Sequence, residues 1–510
     1  MPINSFLYPG AKVVPPFTVA NSLRFDGSSS NLSRTKGTSD STKIGTYSWW
    51  IKNSKFTGQN LIDCGDAFAD SSSIYISSNN TLTVFSRISN SNVLVLETDR
   101  EFRDPSAWHN IVVAIDTTQS TASNRVKVYV DGVQQTSFST ETYPDQNADL
   151  RFFTSSETEK ISSTTYESGG FFGGYMCEVV KVDGQQLAPT SFGEFDSDTP
   201  TVWKPIDVAG LTFGTNGFYL DFEDSSTLGN NVSGGSDFST SGLAATDQST
   251  DTCTNNYAIF NGLLNTNGTL SEGNLQAQSP ASGGNGGIST FGASKGKWYA
   301  EFKQVAESTA NEGALAVIDT TFLHNSTLTS AYLEYTAGTY GLRDGLSGGV
   351  GFYTDSGGSV ASNSSFHGNW TTNDIIGIAL DIDNNRVYFS KNQYLFYPNA
   401  IAKAVGSSVT NPALFKYVLT SVNATCFIVP ASFVTNLSAS TKVVALADVS
   451  PSIIFISAAV DVTPSRIFNS AAVDVTPSKI FNSAAVDVTP SKIFNSAVVT
   501  VAPSNISNSA

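Results

Sequence analysis

Residues 108–132 read WHNIVVAIDTTQSTASNRVKVYVDG and contain two short runs of apolar and β-branched residues. In the second run, from Val126 to Val130, every other residue is valine. This is the period of a strand with two different faces. The run ends at Asp131-Gly132, a pair that is typical of turns. Runs of this kind, bounded by turn residues, predict β-strands.

Similar runs occur on both sides of this stretch, from Ser22 to Gln186, with Gly, Asn and Ser between them. Their spacing is typical of a β-sandwich, in which short strands alternate with turns. Two of the runs, joined across Asn79-Asn80, predict a hairpin. The predicted strands are Leu23–Gly27, Tyr47–Ile51, Ser73–Ile76, Thr81–Phe85, Trp108–Ala114, Val126–Gly132 and Tyr175–Val182.

The order of four segments, LRFDG, YSWWIK, WHNIVVAID and VKVYVDGVQQ, resembles the laminin-G-like or concanavalin-type jelly roll. This fold is a two-sheet sandwich that occurs in lectins and adhesion modules. The resemblance covers residues 22–186 and implies a module that binds glycans or proteins. It names no binding residue in this chain, because a fold does not specify a function.

A second resemblance covers residues 293–433. The segments KGKWYAEF (295–302), Gly341–Tyr353 and WTTNDIIGIALDIDNNRVYFSKNQ (370–393) look like a SPRY-type module, which is also a two-sheet sandwich. Modules of this family bind protein or peptide partners through loops at one end of the sandwich. Those loops vary freely, so the resemblance transfers no binding residue to this chain.

The junction between the two modules, residues 187–292, is rich in Gly, Asn and Ser. With the closing strand before it, the passage from Gly173 to Asn261 resembles a segment that recurs in structural proteins of tailed bacteriophages. The resemblance implies a virion protein that is synthesised in the host cytoplasm. It does not distinguish the tail of the particle from the head.

The C-terminal segment, residues 444–508, contains five copies of a thirteen-residue unit such as SAAVDVTPSKIFN. Each unit predicts strand, turn and strand, and is too short to bury its own apolar face. We therefore expect partner chains, in a homotrimer or another homo-oligomer, a format similar to the shaft repeats of trimeric viral fibres. A disordered tail is the alternative. The proline-rich arm at residues 1–21 is a second candidate for attachment to other subunits.

The amino-acid composition limits the classes of partner that are expected. The 510 residues are 14% charged and carry a formal net charge of −16, which disfavours nucleic acid and anionic membranes as partners. No run of about 18 apolar residues occurs, so membrane insertion is not expected. The N-terminus lacks the pattern of a secretory signal peptide. Four cysteines lie far apart in the sequence and indicate buried thiols rather than a disulfide framework or a zinc site: Cys64, Cys177, Cys253 and Cys426.

No catalytic constellation is recognisable, and we expect no enzyme activity, cofactor or metal. Carboxylates at alternate positions, as in jelly-roll glycosidases, occur at Glu194, Asp196 and Asp198 and again around Asp221 and Glu223. Both groups lie in loop-like segments and stand alone, so they are interpreted as solvated surface. Other candidates are His109, interpreted as a structural strand residue, the isolated His324 and His367, and Asp381 and Asp383, which favour a hairpin turn over a calcium site.

The sequence leads to two hypotheses about function, which belong to different classes. The first is a phage fibre or appendage protein whose sandwiches bind host surface glycans or proteins, with repeats for oligomerisation or anchoring. The second is a head decoration or cement protein that stabilises the capsid without a receptor. A polysaccharide-degrading enzyme is a third and weaker alternative, because the carboxylate pattern is incomplete.

Overall fold

The computed structural model describes residues 17–263, 269–278, 286–306, 314–319, 339–346, 349–353, 361–362, 370–383, 386–392, 417–418, 425–430, 435–436 and 444–445. Residues 1–16 of the arm and residues 446–508 of the repeats lie outside these ranges, as do His324 and His367. Within the described ranges almost all regular structure is β-strand. The predicted all-β fold with sandwich modules is therefore confirmed.

The strands that follow the arm form a first sandwich and its covering segments. They are β1 (Ser22–Asp26), β2 (Asn31–Thr35), β3 (Ile44–Asn53), β4 (Gln59–Ala67), β5 (Asp70–Ile76), β6 (Thr81–Ile88), β7 (Ser91–Glu101), β8 (Trp108–Asp116), β9 (Val126–Val130), β10 (Val133–Gln134), β11 (Phe138–Thr142), β12 (Thr158–Ile161), β13 (Gly173–Asp183), β14 (Gly193–Phe195), β15 (Trp203–Pro205), β16 (Phe218–Leu220), β17 (Ser239–Ser241) and β18 (Gln248–Ser249). A short helix, α1 (Ala122–Arg125), precedes β9, and 3-10 turns lie at Pro189–Ser191 and Ala245–Asp247.

Two eight-stranded sheets make the first sandwich. The first sheet has the order β10-β9-β8-β3-β13-β1-β18, and β16 also pairs with β13. The second sheet has the order β11-β7-β6-β5-β4-β12-β2-β17. Three of these strands, β16, β17 and β18, come from the junction at residues 187–292. The folded unit thus extends past Gln186, because the junction completes the edges of both sheets.

The main core lies between the two sheets. Alternate residues of each strand point into it, as the period of two requires. Tyr47 stacks on Trp49 with 5.5 Å between ring centroids. Inside this apolar layer Glu159 accepts hydrogen bonds from Arg34 and Lys181 at 2.9 and 2.8 Å. These buried charges are paired with one another, which is the condition under which a core tolerates them.

The outer face of the first sheet is covered by other parts of the chain. Trp203 of β15 packs beside Trp50, Cys177 and Val19. A further apolar cluster joins the same face to residues that follow β13. Its members are Val112, Val180, Val182, Phe192, Val208, Phe213 and Tyr219. Of the two outer faces of the sandwich, this one is therefore largely enclosed.

The remaining strands form the second sandwich. They are β19 (Thr269–Ser271), β20 (Gln276–Gln278), β21 (Gly286–Ala293), β22 (Lys297–Lys303), β23 (Ala314–Asp319), β24 (Thr339–Leu346), β25 (Gly349–Tyr353), β26 (Ala361–Ser362), β27 (Ile375–Asp381), β28 (Arg386–Lys391), β29 (Tyr417–Val418), β30 (Thr425–Pro430), β31 (Thr435–Asn436) and β32 (Val444–Ala445). A six-stranded sheet, β21-β30-β23-β24-β25-β26, and a five-stranded sheet, β29-β28-β27-β22-β32, are accompanied by the small sheet β19-β20-β31.

The two sandwiches share a buried cluster. Ile259, Phe260, Leu275 and Ala277, with Tyr175 of β13, belong to the same cluster as the core of β22, β23, β27 and β28. The Tyr175 hydroxyl donates a hydrogen bond to the Gly273 carbonyl at 3.1 Å. No helix among the described residues is both long and apolar enough to cross a membrane.

Candidate functional site

The outer face of the second sheet is the part of the first sandwich where polar and aromatic side chains gather. In β5, β6 and β7 the even-numbered residues Ile74, Ile76, Leu82, Val84, Leu94 and Leu96 belong to the core. Because successive side chains point to opposite faces, the odd-numbered residues point outward. We call the outward set, together with the loop residues that flank it, the aromatic face. It comprises Asp63, Phe68, Ser71, Ser73, Tyr75, Thr81, Thr83, Phe85, Arg87, Val95, Glu97 and Tyr166.

The strand register arranges this face in rows across the sheet. Asp63, Ser73, Phe85 and Val95 are successive partners on β4, β5, β6 and β7. A parallel row runs from Asn60 through Tyr75 and Thr83 to Glu97. Cross-strand partners on one face lie about 5 Å apart. The rings of Tyr75 and Phe85 are half-buried in these rows, and the hydroxyl residues beside them, Ser73 and Thr83, are at most 5% exposed.

Arg87 and Phe68 form the raised end of the aromatic face. The Arg87 guanidinium lies 4.1 Å from the centroid of the Phe68 ring and 5.8 Å from that of Phe85. Tyr166 comes from the loop after β12, and its ring centroid lies 5.3 Å from that of Phe68. The Phe68 side chain is 48% exposed, which is unusual for a phenylalanine. This end offers ring surface and a cation together.

Asp63 holds the loop that carries Tyr166. Its Oδ1 atom accepts hydrogen bonds from the Thr165 backbone N–H at 3.1 Å and from the Thr165 hydroxyl at 2.6 Å. Burial raises the pKa of Asp63 to about 6, although the hydrogen bonds from Thr165 oppose the rise. Nearby, the Thr81 hydroxyl donates to Glu97 at 2.6 Å. The carboxylates of this face thus position hydroxyl groups and a loop.

The accessible part of this face consists of Phe68, which is exposed, and of Tyr75, Phe85, Arg87 and Tyr166, which are half-buried. One side of a pyranose ring is a patch of C–H bonds that can pack on an aromatic ring, and its hydroxyls need polar partners. Aromatic side chains with a polar handle supply both kinds of contact at low entropic cost. Sequence patterns alone placed Tyr75 and Phe85 in a hairpin but not in a site. The alternation of Ser73, Tyr75, Thr83 and Phe85 between core residues was the available signal.

The acidic groups singled out in the sequence divide into two sets. Glu194 and Asp196 lie on the β14–β15 hairpin, where the Lys204 Nζ atom is 3.2 and 3.5 Å from their carboxylates, and Asp198 is exposed. Asp221 and Glu223 do not stand alone. They line a cavity of about 440 Å³ together with Glu178 and Asp207, on the opposite side of the sandwich from the aromatic face. The expectation of isolation fails because β13 and β16, which are far apart in sequence, are paired.

The remaining sequence candidates have local partners. His109 Nδ1 lies 2.9 Å from the Asp131 carboxylate, which also accepts a hydrogen bond from Arg100, so His109 is a hydrogen-bonded strand residue. Asp383 accepts a hydrogen bond from the Gly296 N–H at 2.8 Å, at the end of the β27–β28 hairpin. In the described ranges no cluster of three His, Cys, Asp or Glu residues has the arrangement of a metal site.

The cysteines that the structure describes in detail lie partly together. Cys64 and Cys177 are buried, and Cys253 is half-buried. The Sγ atoms of Cys177 and Cys253 are 3.7 Å apart. Burial raises the pKa of both buried thiols, that of Cys64 to about 12. The prediction of buried thiols is therefore confirmed for Cys64 and Cys177 but not for the half-buried Cys253, and the separation in sequence concealed the contact between Cys177 and Cys253.

Comparison with known proteins bears on the first sandwich. Residues 26–181 match the Laminin_G_3 family model, described as the concanavalin A-like lectin/glucanases superfamily. The first sandwich is therefore concanavalin-like. A search of curated proteins found no match.

Three solved structures illustrate what the chain is similar to. A SAP-like pentraxin from Limulus polyphemus is 15% identical over 33% of this chain and 78% of its own, with a TM-score of 0.26. The human HERC1 SPRY domain is 17% identical over 35% of this chain and 92% of its own, with a TM-score of 0.24. Domains LG4-5 of the mouse laminin alpha1 chain are 12% identical over 83% of this chain and 86% of their own, with a TM-score of 0.29.

Proposed function

We propose that this protein is a binding protein that holds a glycan on the aromatic face of its first sandwich. The observation that carries the proposal is the group of exposed and half-buried rings on that face, those of Phe68, Tyr75, Phe85 and Tyr166, with the Arg87 guanidinium over Phe68. The concanavalin-like fold of residues 26–181 supports it, because this superfamily includes lectins. The low charge of the chain fits a neutral, hydroxyl-rich ligand.

We further propose that the binding serves a virion of a tailed bacteriophage. This rests on the resemblance of residues 173–261 to segments of phage structural proteins. In this proposal the glycan belongs to the host surface, and the repeats at 444–508 join copies of the chain or anchor it to the particle. The protein carries no catalytic role of its own.

The first prediction concerns Phe68, the exposed ring at the raised end of the aromatic face. Replacing it by alanine removes the exposed ring on which a ligand would pack, a loss of about 1 kcal/mol or more of binding free energy. We expect Phe68→Ala to weaken retention by host surface polysaccharide roughly fivefold or more in affinity electrophoresis of the full chain.

A matched control is available on the other side of the sandwich. Phe195 is 45% exposed and contacts Trp203, so Phe195→Ala removes a similar ring from a surface outside the aromatic face. Retention of this variant should equal that of the unchanged chain. If both variants lose retention equally, or if polysaccharides from a panel of hosts never retain the chain, the proposal is wrong.

A further inference from the structure

The cavity on the outer side of the first sheet has no role in glycan binding at the aromatic face. It has a volume of about 440 Å³, which lies within the range of small-molecule sites. Phe17, Phe213 and Tyr219 supply aromatic walls, and the rings of Phe213 and Tyr219 are nearly parallel with centroids 6.0 Å apart. The rest of the lining includes four carboxyl groups, those of Glu178, Asp207, Asp221 and Glu223.

Glu178 owes its position to an irregularity in β13. The pairing of β13 with β3 shifts register between Cys177 and Val180, and Glu178 has a φ of +50°. Such a conformation is costly for a residue with a side chain and is retained where the surrounding structure enforces it. On its other edge β13 changes partner at the same place, from β1 to β16. The carboxyl group therefore turns towards the cavity beside Tyr219.

The Glu178 carboxyl is only half satisfied. The residue is 95% buried, since its relative exposure is 5%. Its Oε2 atom accepts a hydrogen bond from the Tyr219 hydroxyl at 2.8 Å. Its Oε1 atom has neither a hydrogen bond nor an ion pair with any residue that the structure describes. This oxygen is not sealed off from solvent, so it is an accessible acceptor at the cavity wall.

We propose that this cavity binds an organic cation, an ammonium group carried on an apolar stem. The carboxylates of Asp207, Asp221 and Glu223 give it a negative potential, and Glu178 Oε1 is the free acceptor at its wall. Phe213 and Tyr219 provide ring surface of the kind that attracts ammonium groups. A bare metal ion fits less well, because these acids do not converge into a ligand cluster. The site is independent of the proposed glycan binding.

The protonation state of Glu178 makes the binding dependent on pH. Burial raises the pKa of Glu178 to about 8; the Tyr219 hydrogen bond opposes this, and Asp221, Glu223 and Asp207 add to it. The other walls, Phe17, Thr18, Val19, Val232 and Ser233, contribute no titratable side chain. The ammonium pairs with the ionised carboxylate. The affinity of the cavity for the ammonium group should therefore increase with pH below pH 8, by at most about tenfold per pH unit, and should level off above pH 8.

Calorimetric titration of the full chain with n-butylammonium, and with butanol as the neutral isostere, tests this proposal. We expect the amine alone to bind, more tightly at pH 8.5 than at pH 6.5. Glu178→Gln keeps an acceptor for Tyr219 but not the charge, and should weaken amine binding about tenfold and remove the pH dependence. Asp198 is an exposed acid between β14 and β15, so Asp198→Asn should change neither the affinity for the amine nor its dependence on pH. Equal binding of amine and butanol, or an amine affinity unaffected by Glu178→Gln, contradicts the proposal.

Discussion

At the scale of single residues, Glu159 shows how the first sandwich tolerates buried charge. Its side chain is fully buried, as is that of Lys181, and Arg34 lies 2.8 Å from it on the other side. Burial alone would raise the pKa of Glu159, but Lys181, Arg34 and Lys36 lower it well below its usual range. The Tyr47 hydroxyl donates a further hydrogen bond at 3.0 Å. The carboxylate is therefore the centre of a satisfied network between the sheets.

Replacing Glu159 by glutamine should destabilise the first sandwich strongly. The variant keeps the shape but leaves Lys181 and Arg34 buried without a counter-charge, at a cost of about 3–5 kcal/mol in the free energy of unfolding. Urea unfolding followed by tryptophan fluorescence measures the loss. Glu167→Gln, an exposed acid in the loop after β12, is the control and should stay within about 0.5 kcal/mol of the unchanged chain.

The effect of Glu159→Gln on the free energy of unfolding should depend on pH. Because the folded pKa of Glu159 is depressed, its contribution is fully present above the unfolded pKa of about 4.3 and is lost as pH falls below it. The difference between Glu159→Gln and the unchanged chain should therefore shrink on acidification below about pH 4. A difference that is small at pH 7, or that grows in acid, would show that the network does not stabilise the fold.

At the scale of elements, the β9–β10 hairpin illustrates how a turn and a distant strand depend on each other. Asp131 and Gly132 both have positive φ, at 50° and 77°, as a tight hairpin turn requires. The Trp203 ring of β15 lies directly over this turn, and its Nε1 atom donates to Asn110 at 3.1 Å. A Cβ atom on Gly132 would lie 2.4 Å from the Trp203 ring. The close packing exists because this residue has no side chain.

Gly132→Ala should therefore destabilise the chain by about 2–4 kcal/mol, through backbone strain and the clash with Trp203. The fall in the thermal unfolding midpoint measures this effect. Gly210→Ala is the matched control, since no heavy atom lies within 4 Å of the added carbon and the φ of Gly210 is not positive. Equal midpoints for the two variants would mean that Trp203 does not rest on the turn.

These elements show what the sequence could and could not predict. The hairpin of β5 and β6 and the strand at Val126–Val130 follow from local alternation, which is a property of neighbouring residues. The strands β16, β17 and β18 have only two or three residues each, too few to display a period. Their pairing with β13, β2 and β1 depends on tertiary contacts. For the same reason Glu178 and Asp221, on separate elements, could not be placed in one cavity beforehand.

At the scale of the whole molecule, the first sandwich presents two unlike sides. One side, the outer face of the first sheet, is covered by residues that follow β13 and holds the acidic cavity between them. The other side carries the aromatic face, with Phe68 at one end and Glu97 in the row beyond Tyr75. The second sandwich packs near Tyr175 on the first of these sides. The proposed glycan would therefore contact the accessible rings of the aromatic face, of which Phe68 is exposed and Tyr75, Phe85 and Tyr166 are half-buried.

Hydroxyl-radical footprinting of the full chain, with and without a host polysaccharide, tests this central claim most directly, because it reports the solvent exposure of individual side chains. We predict that oxidation of Phe68, Tyr75, Phe85 and Tyr166 falls at least twofold when polysaccharide is bound, in proportion to the ring surface that is covered. Oxidation of Phe195 should stay unchanged, since its ring lies on the β14–β15 hairpin. Protection of Phe195 with no protection of the four aromatic-face residues would contradict the account.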